Sequence, residues 1–402
     1  MNTGVLVKIL SILLSLFCGT NHYLEGNKII PWGLGVNVNS YPNKEEVKII
    51  REAGLHYVRI DLTWATIEKE KGEYDFTPFD RTVNFLKREG ITPFFLLAYS
   101  NPLYEEDRSV VTAEGRLAFV NYVSEALERY KGLNAFWEVW NEPNFVGFWS
   151  PQPSQEMYSY LLKSVAPVIK QKDPSGFVVA PALSKINNVP RQWLEELFKL
   201  DVLPYIDVLS VHPYPDPYPE GNPELILNNY ELLKDLVKKY SKKPIPIISG
   251  EWGYPSDRIT EITQAQYLTR MFLINSMLKI PVSIWFNWKD KTFDSFGLYR
   301  VDDTPKPSYK ALSVLTESLN GFKFKEKLSS SKSDEFALLF INPTSKKKAL
   351  VLWTTGAPRT MNVPFESGSG QFVTMLGETS NISWDDQLMV GVSQSPVYLL
   401  VD

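Results

Sequence analysis

Short apolar runs alternate with longer amphipathic segments along the first three quarters of the chain. Eight of these runs have the length of a β-strand, are rich in Val, Ile, Phe and Trp, and show little alternation of apolar and polar positions. Strands that are buried on both faces have this pattern. The predicted strands are Trp32–Val38, His56–Leu62, Thr92–Tyr99, Ala135–Trp140, Phe177–Pro181, Val208–His212, Ile245–Ser249 and Val282–Trp288.

The segments between the runs repeat apolar residues at helical spacing. They predict helices over Lys44–Ala53, Phe79–Glu89, Arg116–Tyr130, Gln155–Lys170, Arg191–Lys199, Glu224–Tyr240 and Thr263–Leu278. Turn residues such as Gly54, Gly90 and Gly132 stand between a predicted helix and the strand that follows it. Strands and helices that alternate in this way predict an α/β fold, a (β/α)8 TIM barrel over about 28–318.

The pattern changes after Asn320 and Gly321. Helical spacing stops, and short runs are separated by clusters of Ser, Gly, Lys and Asn. The runs are Phe336–Ile341, Ala349–Thr354, Gln371–Met375, Gln387–Val392 and Val397–Val401. They predict a small all-β sandwich over 321–402. We expect a structural domain that packs on the barrel; the alternative is a carbohydrate-binding module, although Trp353 and Trp384 are its only tryptophans.

The first 20 residues combine Lys8 with an apolar run from Ile9 to Cys18. This run has the length of the apolar region of a signal peptide and is too short to span a bilayer. We predict a signal peptide over 1–20 and a secreted or periplasmic mature chain from about Asn21, without a membrane span. An uncleaved membrane anchor is the alternative. Lipidation at Cys18 is disfavoured because the bulky Phe17 precedes it.

The composition excludes several kinds of protein and site. With 42 Lys and Arg against 46 Asp and Glu, the net charge is −4, which gives no basic footprint for nucleic acid or an anionic membrane. One cysteine excludes a disulfide framework and a cysteine-based zinc site, and three histidines argue against a histidine-rich metal centre. The chain has 11 Trp, 20 Tyr and 22 Phe, and aromatic rings stack on the apolar faces of sugars.

Candidate chemistry lies at the carboxyl ends of the predicted strands, where (β/α)8 barrels place their active sites. Strand 4 ends in a Trp-Asn-Glu-Pro sequence that contains Glu142, and strand 7 ends at Glu251. We expect these two carboxyl groups to face each other across one barrel mouth. Such a pair is the equipment of a glycoside hydrolase: one group protonates the departing oxygen, and the other attacks the anomeric carbon or activates water.

The Trp-Asn-Glu-Pro sequence at 140–143 and the glutamate that ends strand 7 resemble those of clan A glycoside hydrolases. Within the clan the chain is most similar to glycoside hydrolase family 39 and its exopolysaccharide-degrading relatives, and next to the family 5 cellulases. The resemblance covers the barrel, and the sandwich is similar to the accessory domain of family 39. It implies a retaining enzyme that works by double displacement, without a metal or organic cofactor.

The resemblance implies that Glu142 is the general acid and then the base, and that Glu251 is the nucleophile. Retaining enzymes hold such groups about 5–5.5 Å apart. We expect Arg and Tyr neighbours to lower the pKa of Glu251, and aromatic surroundings to raise that of Glu142. A solvated loop position for Glu142 and a helix cap for Glu251 are the structural alternatives. Glu138 is expected to lie inside the barrel, paired and too deep for substrate.

Five further residues match positions that bind substrate or the carboxylates: Asn141, Arg59, His212, Tyr214 and Trp288. By resemblance, Asn141 donates to the sugar 2-hydroxyl, and Arg59 and Tyr214 bind the Glu251 carboxylate. His212 lies on the wall near Glu142, and Trp288 stacks under the sugar in the −1 subsite. The structural alternatives are an ion pair with Asp61 for Arg59 and core packing for His212 and Trp288, and the role of Tyr214 stays open without geometry. The aromatic residues expected to line the cleft are Trp64, Tyr99, Phe145, Trp149, Trp252 and Tyr254.

The sequence therefore predicts a secreted retaining β-glycosidase that acts on a polysaccharide or oligosaccharide. Glucan, mannan, xylan and exopolysaccharide all fit, and the sugar, the linkage and the oligomeric state stay open. The abundance of aromatic residues in several loops favours endo-action. An exo-acting β-xylosidase-like enzyme and a carbohydrate-binding protein that has lost catalysis are the alternatives.

Overall fold

The barrel predicted from the sequence is present, and its eight strands are parallel. The computed structural model describes Leu24 and residues 28–292, 294–330 and 332–402. The predicted signal peptide at 1–20 lies outside the described residues. The strands are β1 Leu34–Val38, β2 Tyr57–Thr63, β3 Thr92–Ala98, β4 Phe136–Val139, β5 Phe177–Ser184, β6 Val208–His212, β7 Ile247–Trp252 and β8 Ser283–Trp285. Each strand pairs with the next along the chain, and β8 closes on β1.

One long helix follows each strand in the described chain. The helices are α1 Lys44–Glu52, α2 Thr77–Arg88, α3 Ala113–Tyr130, α4 Gln155–Lys172, α5 Asn188–Phe198, α6 Leu227–Tyr240, α7 Glu261–Met277 and α8 Pro307–Ser318. Local sequence starts several of them: Asn43 and Glu46 form a capping box at α1, in which each side chain accepts from the other residue's backbone N–H. None of the described helices has both the length and the apolar character needed to cross a bilayer.

The inside of the barrel is filled in layers. Phe94, Phe136 and Phe177 form an aromatic layer with ring centroids 5.3 and 5.2 Å apart. Tyr57 of β2 belongs to the same layer. Alternate residues of a strand point inward, so Arg59, two residues beyond Tyr57, and Glu138, two residues beyond Phe136, form the next layer towards the carboxyl ends of the strands. Both are fully buried. The aromatic layer therefore supports a charged layer directly below the mouth.

The C-terminal part of the chain is all-β, as predicted. Its strands are β9 Lys323–Lys327, β10 Glu335–Ile341, β11 Lys348–Thr354, β12 Arg359–Pro364, β13 Gly368–Val373, β14 Thr379–Trp384, β15 Gln387–Val392 and β16 Val397–Val401. They form a six-stranded antiparallel sheet in the order β9-β10-β11-β16-β13-β14 and a two-stranded sheet of β12 with β15. Three of these strands, β9, β12 and β14, were not predicted from the sequence.

The β-domain and the barrel share one hydrophobic core. Phe336, Phe340, Trp353 and Tyr398 belong to the same buried cluster as the barrel helices. The Trp353 indole N–H donates to Oε1 of Glu224, at 2.7 Å. Trp353 is fully buried and stacked on Phe336, so this tryptophan is part of the interface and not a sugar platform. This arrangement favours the structural interpretation of the β-domain.

Replacing Glu224 with Ala is expected to destabilise the protein by about 3–5 kcal/mol, because it leaves a buried charge without its partner. The Glu224 carboxylate accepts from Nε of Arg270 at 2.8 Å, and Arg270 is completely buried. The measurement is chemical denaturation of the full chain. The control is Glu231→Ala, which removes an exposed partner of Lys234 and should cost less than about 1 kcal/mol. Equal unfolding midpoints for the two variants would contradict the expectation.

Candidate active site

The two predicted carboxylates meet at the carboxyl end of the barrel. Glu142 lies three residues beyond β4, and Glu251 is the penultimate residue of β7. One oxygen of each glutamate and a ring nitrogen of His212 lie within 4.8 Å of one another. Glu142 is 6% exposed, and the Glu251 side chain is 14% exposed. Both groups are therefore close together in a small opening and largely shielded from water.

A strained turn carries Glu142 into the mouth. Trp140 and Glu142 have φ angles of 72° and 46°, a backbone region that residues with a side chain seldom adopt. The turn is held by the Glu142 N–H, which donates to the carbonyl of Ala182 at 3.0 Å, and by the Trp140 indole, which donates to the carbonyl of Phe148 at 2.9 Å. Strain of this kind is common where a side chain is held for function.

Glu142 has the environment of a proton donor. Burial raises its pKa to about 7, against the opposing effects of a hydrogen bond with Ser184 and the charges of Arg59 and Lys185. Its Oε1 lies 2.8 Å from Nδ1 of His212. His212 is completely buried, and burial lowers its pKa, which favours the neutral form of the imidazole. A neutral imidazole can donate to the ionised carboxylate or accept from the protonated carboxyl.

Glu251 is held by two donors. The Tyr214 hydroxyl donates to Oε1 at 2.9 Å, and Nη1 of Arg59 donates to Oε2 at 3.1 Å. Burial nevertheless raises its pKa above the ordinary value, against the lowering effects of His212, Arg59 and the Tyr214 hydrogen bond. The expectation of a lowered pKa for Glu251 is therefore wrong, although Arg59 and Tyr214 do act in the expected direction. The cost of removing a carboxylate from water exceeds what these neighbours supply.

Arg59 is the centre of the buried charged layer. Its Nε donates to Glu138 at 2.8 Å, Nη1 donates to Asn37 at 2.9 Å, and Nη2 donates to Asn141 at 2.8 Å. Its ion pairs are with Glu138 and Glu251 rather than with Asp61. Because the Asn141 oxygen is engaged, its amide N–H groups are the part left for a substrate hydroxyl.

Trp288 is placed differently from the prediction. It is 3% exposed, and its ring packs on Tyr299 and Tyr309 with centroids 4.9 and 6.2 Å apart. Such a ring has no accessible face on which a sugar could stack, so the structure does not support the expected role. Phe286, two residues earlier and directly after β8, is partly exposed. Phe286 and Trp288 are two residues apart, so the alternation of side chains along a strand does not distinguish them.

Most of the aromatic residues expected in the cleft belong to the core. Trp64, Trp149, Trp252 and Tyr254 are at most 1% exposed. Tyr99 is partly exposed, stacks on Phe148, and lies 4.1 Å from the Arg108 guanidinium. Phe145, in the loop that follows Glu142, is 48% exposed. The cleft therefore has fewer aromatic platforms than the sequence suggested.

Two functional neighbours were not predicted. Asn37 lies in β1 and accepts a hydrogen bond from Arg59, and Ser184, the last residue of β5, acts to lower the pKa of Glu142 against the effect of burial. The signal for Asn37 is a polar residue inside the apolar run Val36–Val38. A polar residue within an apolar strand of a barrel indicates a position that points inward close to the mouth, because polar side chains are accommodated there.

Glu142, His212 and Glu251 are also a group that could hold a metal ion, since each offers one ligand atom within 4.8 Å of the other two. The hydrogen bond between Glu142 and His212 uses two of these atoms. A metal ion would have to displace that bond and would need both carboxyl groups ionised. The sequence prediction that no metal is required stays a prediction.

Activity is expected to fall as the pH rises through about 7, the pKa that burial gives to Glu142. A general acid works in its protonated form, which is present below its pKa and lost above it. The measurement is the pH dependence of kcat/KM for a glycoside with a poor leaving group. Glu142→Gln should remove this alkaline limb from whatever activity remains. An alkaline limb that is unchanged in this variant would contradict the assignment.

Replacing Glu138 with Gln is expected to move the acidic limb of the same profile to lower pH by about one unit. Glu138 shares the charge of Arg59 with Glu251. Without it, the Arg59 charge acts more fully on Glu251 and lowers the pKa of that carboxylate. The control is Glu68→Gln, another fully buried glutamate, which binds Trp64 and Tyr104 instead. The same shift in both variants would contradict a specific effect through Arg59.

Comparison with known proteins agrees with this geometry. The family model described as glycosyl hydrolases family 39 matches residues 38–355. A β-xylosidase of Caldicellulosiruptor saccharolyticus is 26% identical over 324 residues, which cover 69% of this chain and 65% of that protein. A β-xylosidase of Geobacillus stearothermophilus is 24% identical over 282 residues, which cover 59% of this chain and 55% of that protein. The chain thus matches less than two thirds of either relative.

Solved structures of family 39 glycoside hydrolases also resemble this chain. A family 39 glycoside hydrolase from the gut symbiont Bacteroides cellulosilyticus WH2 has a TM-score of 0.81 and 25% identity, covering 92% of this chain and 81% of that one. A family 39 β-xylosidase from Caulobacter crescentus has a TM-score of 0.68 and 17% identity, covering 94% and 97%. At that identity the second likeness is one of fold alone.

Proposed function

Because the chain belongs to glycosyl hydrolase family 39, we propose that it hydrolyses β-glycosidic bonds with retention of configuration. The observation that carries the proposal is the distance of at most 4.8 Å between one oxygen of Glu142 and one of Glu251. Inverting enzymes separate their carboxyl groups by about 6.5–9.5 Å to hold a water molecule between group and sugar. A close pair supports direct attack by one of the two carboxylates.

In the first step Glu251 attacks the anomeric carbon while Glu142 gives its proton to the departing oxygen. The bond to the leaving group breaks, and an ester forms between Glu251 and the sugar. Tyr214 and Arg59 each bind a different oxygen of Glu251, which fixes the carboxylate before the attack. The Asn141 amide, held by Arg59, would donate to the 2-hydroxyl, where hydrogen bonds strengthen in the transition state.

In the second step Glu142 removes a proton from water, which attacks the anomeric carbon and releases Glu251. This reversal requires the pKa of Glu142 to fall after the first step. The charge of an ionised Glu251 raises the pKa of its neighbour, and ester formation removes that charge. His212 can then donate through Nδ1 to the ionised Glu142.

For the substrate we propose a β-xyloside cleaved from the chain end, which replaces endo-action as the leading hypothesis. Two sequence relatives are named β-xylosidases, and four of the six aromatic residues expected to form a long cleft are buried in the core. A row of stacking platforms is what an endo-acting enzyme needs to hold a polymer. Endo-action is the second candidate, favoured by the exposed Phe145 and Val146 beside Glu142.

The test is hydrolysis by the full chain of xylo-oligosaccharides, of p-nitrophenyl β-xyloside and of a panel of β-linked polysaccharides, followed by NMR. Release of xylose from the chain end, first as the β-anomer, supports the proposal. Shortening of polymers into mixed oligosaccharides would favour endo-action. An α-anomer as the first product would contradict retention. Silence on every glycan together with tight glycan binding would favour a binding protein.

A further inference from the structure

An open cavity lies at the end of the barrel opposite Glu142 and Glu251. It borders the turns that precede β1 and β2 and the last turns of α1 and α8, and its volume is about 490 Å³. Because the seven residues of β2 span about 20 Å, this cavity is separate from the catalytic mouth. Its lining includes Trp32, Arg51, Glu52, His56, Glu317 and Asn320. We call it the Trp32 pocket.

Trp32 forms a rigid aromatic platform in this pocket. Its indole is 57% exposed, whereas the other ten tryptophans are buried or half-buried. The inner face of the indole is stacked on His56 with ring centroids 4.2 Å apart, and the Arg51 guanidinium donates to Nε2 of His56 at 2.9 Å. Burial and the charge of Arg51 lower the pKa of His56 to about 4, so the ring beneath the indole is uncharged at neutral pH. The outer face of Trp32 is therefore held in one place and open to solvent.

The ends of two helices bring the polar residues of the pocket together. Gly54, just beyond α1, has a φ of 81° and approaches α8 so closely that a Cβ there would lie 2.8 Å from the Cβ of Thr316. The Thr316 hydroxyl donates to the carbonyl of Ala53 at 3.0 Å. Arg51 in the last turn of α1 and Glu317 in the last turn of α8 therefore border the same pocket.

The charges around Trp32 are of both signs and are little used within the protein. In the described part of the chain neither Arg51 nor Glu317 forms an ion pair, and Glu52 pairs with the exposed Lys48 at 3.6 Å. An anionic ligand would meet the two carboxylates, and a cationic ligand would meet Arg51. A purely apolar ligand would remove water from these charges without replacing its hydrogen bonds. A neutral molecule with an apolar face and several hydroxyl groups matches both the platform and its polar rim.

We propose that the Trp32 pocket binds a neutral sugar unit of a β-linked glycan, apart from the catalytic mouth. The indole stacks on the apolar face of the sugar ring, the Arg51 guanidinium donates to its hydroxyl groups, and the Glu317 carboxylate accepts from them. That this sugar belongs to a polymer which is also the substrate rests on the proposed function. A polymer held at this pocket raises the effective concentration of its chain ends around the enzyme.

The test is fluorine NMR of the full chain labelled with fluorotryptophan, which reads the pocket without interference from the mouth. The Trp32 signal is assigned by its absence in Trp32→Tyr. Soluble xylan, β-glucan and mannan are added in turn, and we expect at least one of them to shift this signal to saturation. Glu317→Gln should raise the dissociation constant read from the signal by about threefold, the effect of weakening one hydrogen bond. The matched control is Glu326→Gln, at an exposed position in β9, which should leave it unchanged.

Hydrolysis gives a second reading of the same pocket. Trp32→Ala should raise KM for soluble xylan by about tenfold or more, as expected for the loss of an aromatic anchor, and should leave kcat unchanged. Hydrolysis of p-nitrophenyl β-xyloside, which needs only the mouth, should also be unchanged. The control is Tyr160→Ala, which removes another exposed aromatic side chain, from α4. Equal KM values for xylan in the two variants would contradict the proposal.

The NMR result also separates this proposal from the proposed function. A Trp32 signal that no neutral glycan shifts would overturn the pocket, and so would an equal shift with the anionic polygalacturonate. A shift caused by a glycan that the protein does not hydrolyse would support the pocket and contradict the proposed function. Hydrolysis of xylo-oligosaccharides alongside an unchanged Trp32 signal would contradict the pocket alone.

Discussion

Glu251→Ala should reduce kcat by about four to six orders of magnitude, the loss typical of removing a catalytic nucleophile. Without this carboxylate no ester can form. The donors that bind it, Tyr214 and Arg59, stay in place because Arg59 keeps its contacts with Glu138, Asn37 and Asn141. The variant should therefore fold and still bind glycans. The measurement is kcat on p-nitrophenyl β-xyloside, with unfolding measured on the same sample.

Azide distinguishes a nucleophile from any other essential group. In the Glu251 variant, azide can occupy the space of the missing carboxylate and attack the anomeric carbon from that face, so the product is the α-glycosyl azide. The control is Glu106→Ala, an exposed glutamate in the loop after β3, which should leave kcat unchanged. A β-glycosyl azide, or activity close to that of the unmodified protein, would contradict the role of Glu251.

Glu142→Ala should reduce hydrolysis by about 10²- to 10⁴-fold, the usual contribution of a general acid. The loss should depend on the leaving group. The leaving group of a xylo-oligosaccharide must be protonated by Glu142, so this substrate should react very slowly. Dinitrophenolate leaves without protonation, so a dinitrophenyl xyloside should still form the ester with Glu251. The measurement compares kcat/KM for these two substrates in the variant and in the unmodified protein.

The second step of the Glu142 variant gives an independent check. Without a base, the ester at Glu251 should accumulate, and mass spectrometry of the intact protein should detect the added sugar. Azide should restore turnover and give the β-glycosyl azide, the opposite anomer to that of the Glu251 variant. The same loss on good and poor leaving groups, or the same azide product in both variants, would contradict the assignment of roles.

The barrel could be predicted because its strands are buried on both faces. Such strands appear as continuous apolar runs, and β6 was predicted with the bounds that it has in the structure, Val208–His212. Strand β9 was not predicted because Lys323–Lys327 contains four charged residues and a single Phe. Its extended form comes from pairing with β10, a tertiary contact that local sequence does not record.

The sequence was sufficient to predict at which end of the barrel the site lies and which residues gather there. Arg59, Asn141, His212 and Tyr214 gather around the two glutamates, because residues at the carboxyl ends of parallel strands share one mouth. The sequence did not reveal which way a side chain points just beyond a strand, and Trp288 was misplaced for this reason. The pKa of Glu251 was also predicted in the wrong direction, since it is a balance of large opposing effects that depend on the depth of burial.

The contacts of Arg59 have a consequence for fragments of the chain. The acceptors of this one guanidinium come from β1, from β4 and the turn beyond it, and from β7, parts of the chain that meet only when the barrel has closed. A fragment or a partly folded intermediate that lacks any one of them cannot assemble the pair of carboxylates. Two separate fragments that together supply these strands are therefore expected to restore the arrangement around Arg59 only when they associate, whereas each fragment alone is expected to be inactive towards glycans.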